Sequence, residues 1–154
     1  MIQTRIARKY ESSDRQPCII CDIDGTLAYN THRDIYNYDN VIRDAHNLHL
    51  KNLLDLILKG NDNIQLLFVS GREEKCREQT EEWLRNLFPE VNFCLYMRLS
   101  RDTRQDAIVK EEIFIRYIIN KYNILAVFDD RDQCVNLWRD KFNLFTLQVD
   151  YGNF

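Results

Sequence analysis

Two carboxylates that stand two residues apart, Asp22 and Asp24, have the spacing needed for metal or phosphoryl chemistry. They follow an apolar run at 17–21 and open the string Asp-Ile-Asp-Gly-Thr-Leu-Ala at 22–28. The run is typical of a buried strand, and side chains two apart on a strand share a face. Open α/β folds bind ligands at the carboxyl edge of the sheet. A calcium loop is the alternative, but Arg33 stands where its bidentate glutamate would be.

Two further polar groups follow later predicted strands. Ser70, Gly71 and Arg72 offer a hydroxyl and backbone N–H groups near a helix start, which suits a phosphate oxygen. Asp129 and Asp130 form a second acidic pair that can complete an oxygen cage for Mg²⁺. Alone, the first group is typical of a turn and the second of a helix N-terminus. A parallel sheet would bring both beside Asp22.

A lysine completes the set. Lys110 lies on the predicted helix before the strand that ends at Asp129, and Asp106 stands four residues earlier. Because i and i+4 are neighbours on a helix, we expect Asp106 to hold the ammonium in place. Alone, the two residues are typical of a surface ion pair of little energetic weight. The joint occurrence of all these groups, each at an element end, favours an active site.

The chemistry that this set supports is phosphoryl transfer through an aspartyl-phosphate. We predict that Asp22 attacks phosphorus, while Asp24 protonates the leaving oxygen and then deprotonates the hydrolytic water. A divalent cation, Mg²⁺ or another such as Mn²⁺, would neutralise substrate charge. Its predicted ligands are the Asp22 carboxylate, the Asp24 carbonyl and a carboxylate of Asp129 or Asp130. The other phosphate oxygens would contact three donors: Ser70, Arg72 and Lys110.

The elements that must position these residues alternate between strand and helix patterns. Strands are predicted at 18–23, 64–70, 93–98, 124–129 and 144–149. Helices are predicted at 44–59, 73–88, 105–121 and 132–141. Strict alternation implies right-handed crossovers and an α/β fold, a three-layer, Rossmann-like parallel sheet of about five strands. Residues 28–43 form a polar-aromatic flap, whose tyrosines 29, 36 and 38 either stack on a terminal base or pack under the flap.

Composition limits the classes of function. The chain has 154 residues, 45% of them apolar, which is enough for one domain with a substantial core. A net charge of −3 argues against a generic electrostatic nucleic-acid binder, although not against local contact with a strand end. No apolar run reaches transmembrane length. Five cysteines without a secretion signal predict reduced thiols and a cytoplasmic protein. Cys18 and Cys21 point to opposite faces of the first strand and are predicted core residues.

The 22–27 string resembles the nucleophile motif of the haloacid dehalogenase superfamily. More closely, residues 22–154 are similar to the 3′-phosphatase domain of phage-type polynucleotide kinase-phosphatases. The likeness is carried by these residues: 22–28, Arg33, 69–73 (Val-Ser-Gly-Arg-Glu), 102–104 (Asp-Thr-Arg), 106–114 (Asp-Ala-Ile-Val-Lys-Glu-Glu-Ile-Phe), 128–131 (Phe-Asp-Asp-Arg), Val135, Trp138 and Arg139. We therefore expect two parts of the chain: an N-terminal arm at 1–16, for which disorder is one expectation, and a phosphatase domain at 17–154.

The resemblance implies a haloacid dehalogenase fold with a minimal cap. It also implies hydrolysis of 3′-phosphate ends on DNA or RNA with a divalent metal, in end healing and repair. Besides Asp22 and Asp24 it implies six essential residues: Arg33, Arg72, Asp106, Lys110, Asp129 and Asp130. Further candidates for substrate binding are Thr26, Gly71, Arg104 and Arg131. Arg33 stands in the flap, where we expect its fork of donors to reach a phosphate from the solvent side.

One departure from bifunctional relatives is plain. Glycines stand only at 25, 60, 71 and 152, so the chain has no P-loop and no kinase activity is expected in it. It is therefore either a stand-alone phosphatase or an excised domain. The expected partners are DNA or RNA 3′ ends, with a homodimer and a separate kinase and ligase as further candidates, and no membrane. The compartment would be the host cytoplasm if a phage encodes the chain.

Two other functions compete with the 3′-phosphatase. The first is a nucleotidase or other small-molecule phosphatase on the same scaffold. The second is a catalytically silent assembly module of a repair complex, which would have no need of Asp24. The short stretch between the motifs at Asp22 and Ser70 leaves little room for a large lid. An open site favours a bulky polymer end over a small metabolite.

Overall fold

A computed structural model of the chain describes residues 14–34 and 36–153. The described strands, in chain order, are β1 (Gln16–Cys21), β2 (Ala28–Tyr29), β3 (Ala45–His46), β4 (Gln65–Glu73), β5 (Phe93–Arg98), β6 (Tyr122–Asp129) and β7 (Thr146–Gln148). The α-helices are α1 (Leu48–Gly60), α2 (Arg77–Leu87), α3 (Asp106–Ile113) and α4 (Asp132–Asn136). Two π-helical segments, Phe114–Ile118 and Leu137–Lys141, continue α3 and α4, and 3₁₀ turns occur at Val41–Arg43 and Glu74–Cys76.

Five of these strands form one parallel sheet in the order β5-β4-β1-β6-β7. The predicted α/β class and five-stranded parallel sheet are therefore confirmed. β1 lies at the centre, with β4 and β6 on either side. Because all five strands run the same way, the residues that follow β1, β4 and β6 meet at one edge of the sheet.

Each face of the sheet has its own core. On one face Phe114, Trp138 and Phe142 pack together, with 4.5 Å between the Phe114 and Phe142 ring centroids. On the other face Leu54 of α1 and Leu84 of α2 are buried against the strands. Complete burial of such side chains stabilises a fold by about 1.5–3 kcal/mol each. The two cores fix the sheet between helical layers.

The central strand β1 contributes side chains to both cores. Cys18 is buried in the first core and Cys21 in the second, so the two thiols point to opposite faces as predicted. Both are free cysteines. The two cysteines therefore contribute to packing, and their thiols do not converge on a common site.

Several predicted boundaries shift. The helix predicted from residue 44 begins at Leu48, because the Asn47 side chain accepts the Leu50 N–H and caps it. Residues 45–46 instead pair with Ala28–Tyr29 as a small antiparallel hairpin at the base of the flap. Residues 1–13 of the predicted N-terminal arm (1–16) lie outside the described residues. Residue 16, which was predicted to belong to the arm, is the first residue of β1. Across 14–34 and 36–153, no helix has the length and apolarity to cross a membrane.

Candidate active site

Asp22 lies directly after β1 and is only 5% exposed. Its backbone N–H donates to the Phe128 carbonyl at 2.9 Å, which joins the ends of β1 and β6. Lys110 donates from Nζ to Asp22 Oδ1 at 2.7 Å and to Asp129 Oδ2 at 2.8 Å. The Trp138 indole N–H also donates to Asp129 Oδ2, at 3.0 Å. Three residues predicted from separate motifs thus form one buried cluster.

The charge of Lys110 is stabilised by these contacts. Burial by itself would lower the pKa of this lysine, but the Asp129 and Asp22 carboxylates outweigh it, so the pKa lies well above the ordinary value. Lys110 is therefore a fixed cation beside the predicted nucleophile. An ammonium there can stabilise negative charge that develops on a bound phosphoryl group.

Asp22, Asp129 and Asp130 form a candidate metal centre. One oxygen from each lies within 4.8 Å of the others, and all three residues are buried. Burial raises the pKa of Asp22 well above its usual range, with Lys110 opposing the shift and the neighbouring carboxylates adding to it. Burial and then repulsion from Asp129 also raise the pKa of Asp130. Carboxylate oxygens at this spacing suit a hard divalent cation such as Mg²⁺.

The turn after Asp22 is built around Asp130. Gly25 has φ +83°, and a Cβ there would lie 2.2 Å from Asp130 Oδ2. Only glycine allows both this backbone conformation and this close approach. Thr26, predicted to bind substrate, is fully buried and donates from Oγ1 to Asp130 Oδ1 at 3.1 Å. In this geometry Thr26 orients a carboxylate, and its predicted substrate contact stays a prediction.

Two arginines hold the Asp24 carboxylate. Arg72 donates from Nε to Oδ2 at 2.9 Å and from Nη2 to Oδ1 at 2.8 Å, and Arg33 donates from Nη2 to Oδ1 at 3.0 Å. Such bidentate, charge-assisted contacts fix the orientation of a carboxylate. The Asp24 residue lines the same cavity as Asp22.

The two arginines are directed at protein acceptors, and their predicted phosphate contacts stay predictions. The Arg33 side chain is 3% exposed and also donates to Asp44 and to the Asn37 carbonyl. Arg72 is fully buried. Their donors are directed at protein acceptors and do not reach out from the solvent side. Ser70 is fully buried as well, and its Oγ accepts the Arg72 backbone N–H at 3.2 Å.

Asp44 was missed from the sequence. It is 4% exposed, accepts from Arg33 Nη2 at 2.7 Å and from Arg72 Nη2, and lies 3.1 Å from His32 Nε2. The Trp83 indole N–H fixes its backbone carbonyl at 2.9 Å. A signal was available in the charge balance. Arg33 and Arg72 were both predicted at the site, and two arginines that become buried need carboxylates to balance their charge.

Asp106 has different partners from the one predicted. Among the ion pairs of the described residues, Asp106 contacts Arg98, and Arg131 at 3.0 Å, while Lys110 contacts Asp22 and Asp129. Burial opposes ionisation of Asp106, but the nearby Lys110, Arg131 and Arg98 charges lower its pKa. The i, i+4 spacing therefore did not produce the expected pair.

Arg98 links this carboxylate to the strand ends. Besides Asp106, it donates from Nε to the Gly71 carbonyl at 2.9 Å and from Nη1 to the Asp102 carbonyl at 3.0 Å. At Gly71 a Cβ would lie 2.3 Å from Asp106 Oδ1, so this position requires glycine for close approach. Gly71 was predicted to bind substrate. In this structure close packing against Asp106 explains why glycine occupies the position, and the Gly71 carbonyl accepts a hydrogen bond from Arg98.

A cavity of about 400 Å³ joins these groups. Part of its wall is formed by the predicted catalytic residues Asp22, Asp24 and Lys110 and by the metal-site carboxylate Asp130. Arg104 and Arg131 also line it. Tyr36 and Tyr38 from the flap line it as well, whereas Tyr29 does not. The Tyr38 hydroxyl contacts the Gly71 carbonyl at 3.4 Å, which agrees with packing under the flap.

Comparisons with known proteins agree with this geometry. The chain is 38% identical over 123 residues to an Autographa californica nuclear polyhedrosis virus protein named as a bifunctional polynucleotide kinase/RNA ligase. The match covers 79% of this chain and 18% of that protein. The chain therefore spans less than a fifth of the relative's length.

Solved structures match over nearly the whole chain. One is a chain of the Pnkp1/Rnl/Hen1 RNA repair complex, with TM-score 0.89, 34% identity, and coverage of 99% of this chain and 48% of that one. A second structure of a Pnkp1/Rnl/Hen1 complex has TM-score 0.87 and 33% identity, and covers 98% and 52%. The family model of the polynucleotide kinase PNKP phosphatase domain matches residues 16–154. With the acid pair, the buried lysine and the second acidic pair at one sheet edge, the chain belongs to the family of polynucleotide kinase PNKP phosphatase domains.

Proposed function

We propose that this chain removes the 3′-phosphate from DNA or RNA ends through an aspartyl-phosphate on Asp22. The observation that carries the proposal is the Asp22 carboxylate, buried at the cavity wall and bound by Lys110 at 2.7 Å, with Asp24 two residues further along the chain. A nucleophile, a proton carrier and a fixed cation within one cavity are the parts that phosphate-ester hydrolysis by a carboxylate requires.

A divalent cation fits the three carboxylates of Asp22, Asp129 and Asp130. Their oxygens are mutually within 4.8 Å, they are buried, and Thr26 orients Asp130. The Asp24 backbone carbonyl is proposed as a further ligand. When bound, Mg²⁺ or Mn²⁺ would neutralise the phosphoryl charge that otherwise repels an attacking carboxylate. Magnesium dependence is part of this proposal.

The proposed reaction has two steps, both made by residues of this chain. An Asp22 oxygen attacks phosphorus and the bond to the 3′-oxygen breaks, while Asp24, which enters this step in its protonated form, donates its proton to that oxygen. In the second step Asp24 takes a proton from water, which attacks the phosphorus of the aspartyl-phosphate. Inorganic phosphate leaves and Asp22 is restored as a carboxylate. Lys110 stabilises the negative charge on the phosphoryl oxygens in both steps.

Arg33, Arg72 and Asp44 are proposed as positioning residues. Three hydrogen bonds from the two arginines hold Asp24, and Asp44 holds the arginines in turn. This network keeps the proton carrier at a fixed place beside the reacting phosphorus. Positioning of this kind supplies much of the rate of an oriented reaction.

The polymer substrate and the partners are proposed from the relatives. Their printed names include polynucleotide kinase, RNA ligase and an RNA repair complex. We propose that this phosphatase prepares ends for a kinase and a ligase in nucleic-acid repair, and a homodimer stays a candidate. The cavity offers Arg104 and Arg131 to a strand end. Phosphate contacts of this type position a strand without reading its sequence.

Initial rates of phosphate release on four substrates test the proposal: a 3′-phosphorylated oligonucleotide, the same strand with a 5′-phosphate, a 3′-mononucleotide, and p-nitrophenyl phosphate. The 3′-phosphorylated strand is expected to have the highest kcat/KM, with little dependence on its terminal base. Equal values for the 3′ and 5′ ends would overturn the 3′ assignment. Faster turnover of the mononucleotide than of any oligomer would favour the nucleotidase.

A further inference from the structure

A second cavity of about 220 Å³ lies beside the catalytic cavity. It is bounded by edge strand β5 and by the helical segment that begins with α3. Its aromatic and apolar lining consists of Tyr96, Met97, Leu99, Val109, Ile113 and Tyr117. Asp102 and Arg104 line both cavities. The two cavities are therefore neighbours, and a strand that leaves the first can enter the second across Arg104.

The apolar wall of the second cavity is exposed to solvent at two of its residues. Leu99 is 64% exposed and Tyr117 is 48% exposed. The Tyr117 ring stacks on Tyr96, with 5.6 Å between ring centroids and 18° between ring planes. A stacked aromatic pair is a rigid surface, so binding to it costs little side-chain entropy. Half-exposed aromatic rings are the platforms on which nucleic-acid bases stack.

The charges around this cavity are balanced. Arg77 pairs with Glu74 at 2.6 Å, Arg104 with Asp102 at 2.6 Å, and Arg116 with Glu112 at 3.2 Å: three guanidiniums against three carboxylates. Because these charges cancel, the cavity exerts no net electrostatic attraction on a charged occupant. Its apolar and aromatic lining therefore favours an uncharged planar ring. The volume is below the about 300 Å³ at which pockets enclose a drug-sized ligand, so it suits one base.

We infer that the second cavity binds a base of the substrate strand upstream of its 3′ end, while Arg104 contacts the phosphodiester between the two cavities. The inference rests on the proposed function, because it places the 3′-phosphate at Asp22. Arg104 is half-exposed and held at the boundary by Asp102 and Glu112. Since every base has an apolar face, the cavity requires a base without selecting its identity.

The test uses the full chain with Tyr117→Ala and a matched control, Ile115→Ala. Ile115 is another exposed apolar residue of the same helical segment, 50% exposed, and it lines neither cavity. The substrates are 3′-phosphorylated oligonucleotides, intact or with one abasic site at the first, second or third position from the 3′ end. Leu99→Ser is made in parallel, so that a folding failure of Tyr117→Ala leaves the inference testable.

For the wild-type chain, one abasic position is expected to raise KM roughly tenfold with little change in kcat, as the loss of one stacked base predicts. Tyr117→Ala should raise KM by about the same factor on the intact strand and add nothing on that abasic strand. Ile115→Ala should behave as the wild type. Hydrolysis of p-nitrophenyl phosphate, which is too small to reach the second cavity, should not follow the pattern.

The outcomes separate this inference from the proposed function. Efficient 3′-phosphate release with the same KM for the intact and all abasic strands, in wild type and variants alike, would overturn the base site and leave the phosphatase standing. An equal fall for p-nitrophenyl phosphate and oligonucleotide would make Tyr117 a structural residue and also overturn the base site. Fluorescence anisotropy gives binding without turnover. Tyr117-dependent binding of a strand that is not hydrolysed would support the base site and refute the phosphatase.

Discussion

Substitution of Asp44 by asparagine tests the network that holds the proton carrier. Asp44 is buried with Arg33 and Arg72, and both arginines also contact Asp24. The amide keeps the shape of the side chain but removes its charge, which leaves two guanidiniums against the single carboxylate of Asp24. Removing one partner of a buried ion pair costs about 3–5 kcal/mol because a buried charge stays uncompensated. Asp24 still offsets part of the charge, so we expect a loss of about 3 kcal/mol.

That loss has two measurable consequences. For a chain of this size about 1 kcal/mol shifts Tm by roughly 2–4 °C, so Asp44→Asn should melt roughly 6–12 °C lower. Rotation of Asp24 away from the leaving oxygen should lower kcat on a 3′-phosphorylated oligonucleotide about a hundredfold or more, the usual range for a lost acid–base group. KM should change little, because Asp44 does not line the cavity.

Asp39→Asn is the matched control, since it makes the same chemical change at an exposed carboxylate of the flap. It should keep the Tm and kcat of the wild type. Differential scanning fluorimetry and steady-state kinetics on both variants decide the matter. An Asp44→Asn protein with kcat within about threefold of the wild type would refute the positioning role, whatever its Tm. A normal Tm with low kcat would mean that the charge is compensated and that only the orientation of Asp24 is lost.

Three further predictions follow from the site. Asp22→Asn should leave less than about a hundredth of the wild-type rate, because an amide cannot form the covalent bond; a higher residual rate in a phosphate-release assay would refute the aspartyl-phosphate. Thr26→Val should raise the Mg²⁺ concentration for half-maximal activity about tenfold, since Asp130 loses the hydrogen bond that orients it, and Thr26→Ser should restore it. The pKa of Asp106 is lower in the folded chain than its usual value, so its contribution to stability is present above about pH 4 and is lost as pH falls further. The difference in unfolding free energy between the wild type and Asp106→Asn should therefore shrink from roughly pH 5 to pH 3 in denaturant titrations, and a constant difference would contradict the assigned ion pairs.

The sheet and its edge residues could be predicted because their signals are local. An apolar run that ends in Asp22 or Asp129 specifies both a strand and the place of its carboxylates, and parallel strand order then brings the ends together. Lys110 reached Asp22 for the same reason, since the helix before β6 crosses back over that edge. Local pattern plus topology was sufficient for these residues.

The arginine network could not be predicted in the same way. Arg33 and Asp44 come from the flap, Arg72 from β4, and their pairing depends on how an irregular segment folds over the sheet edge. No periodicity describes such a segment. The spacing of Asp106 and Lys110 misled for a related reason: a helical neighbour four residues away contributes little compared with the buried carboxylates that Lys110 reaches across the fold. Tertiary electrostatics outweighed the local pair.

The distribution of charge around the cavity explains how these parts work together. Among the ion pairs of the described residues, the Lys110 ammonium contacts two carboxylates of the candidate metal centre, Asp22 and Asp129; with all three carboxylates ionised, two negative charges then remain for a divalent cation. When Asp24 and Asp44 are both ionised, two arginines balance them, so the network around the proton carrier is neutral in that form.

Asp106, by contrast, has two arginines for one carboxylate, and Arg98 and Arg131 both line the cavity. The carboxylate cluster therefore attracts a cation, whereas positive charge predominates around Asp106. A phosphate monoester that carries its own negative charge would contact both groups, with its phosphorus at Asp22. Neutralisation of Asp106 would increase the positive charge but release the arginines that it holds. We therefore expect Asp106→Asn to weaken activity through loss of position, even though the cavity becomes more attractive to an anion.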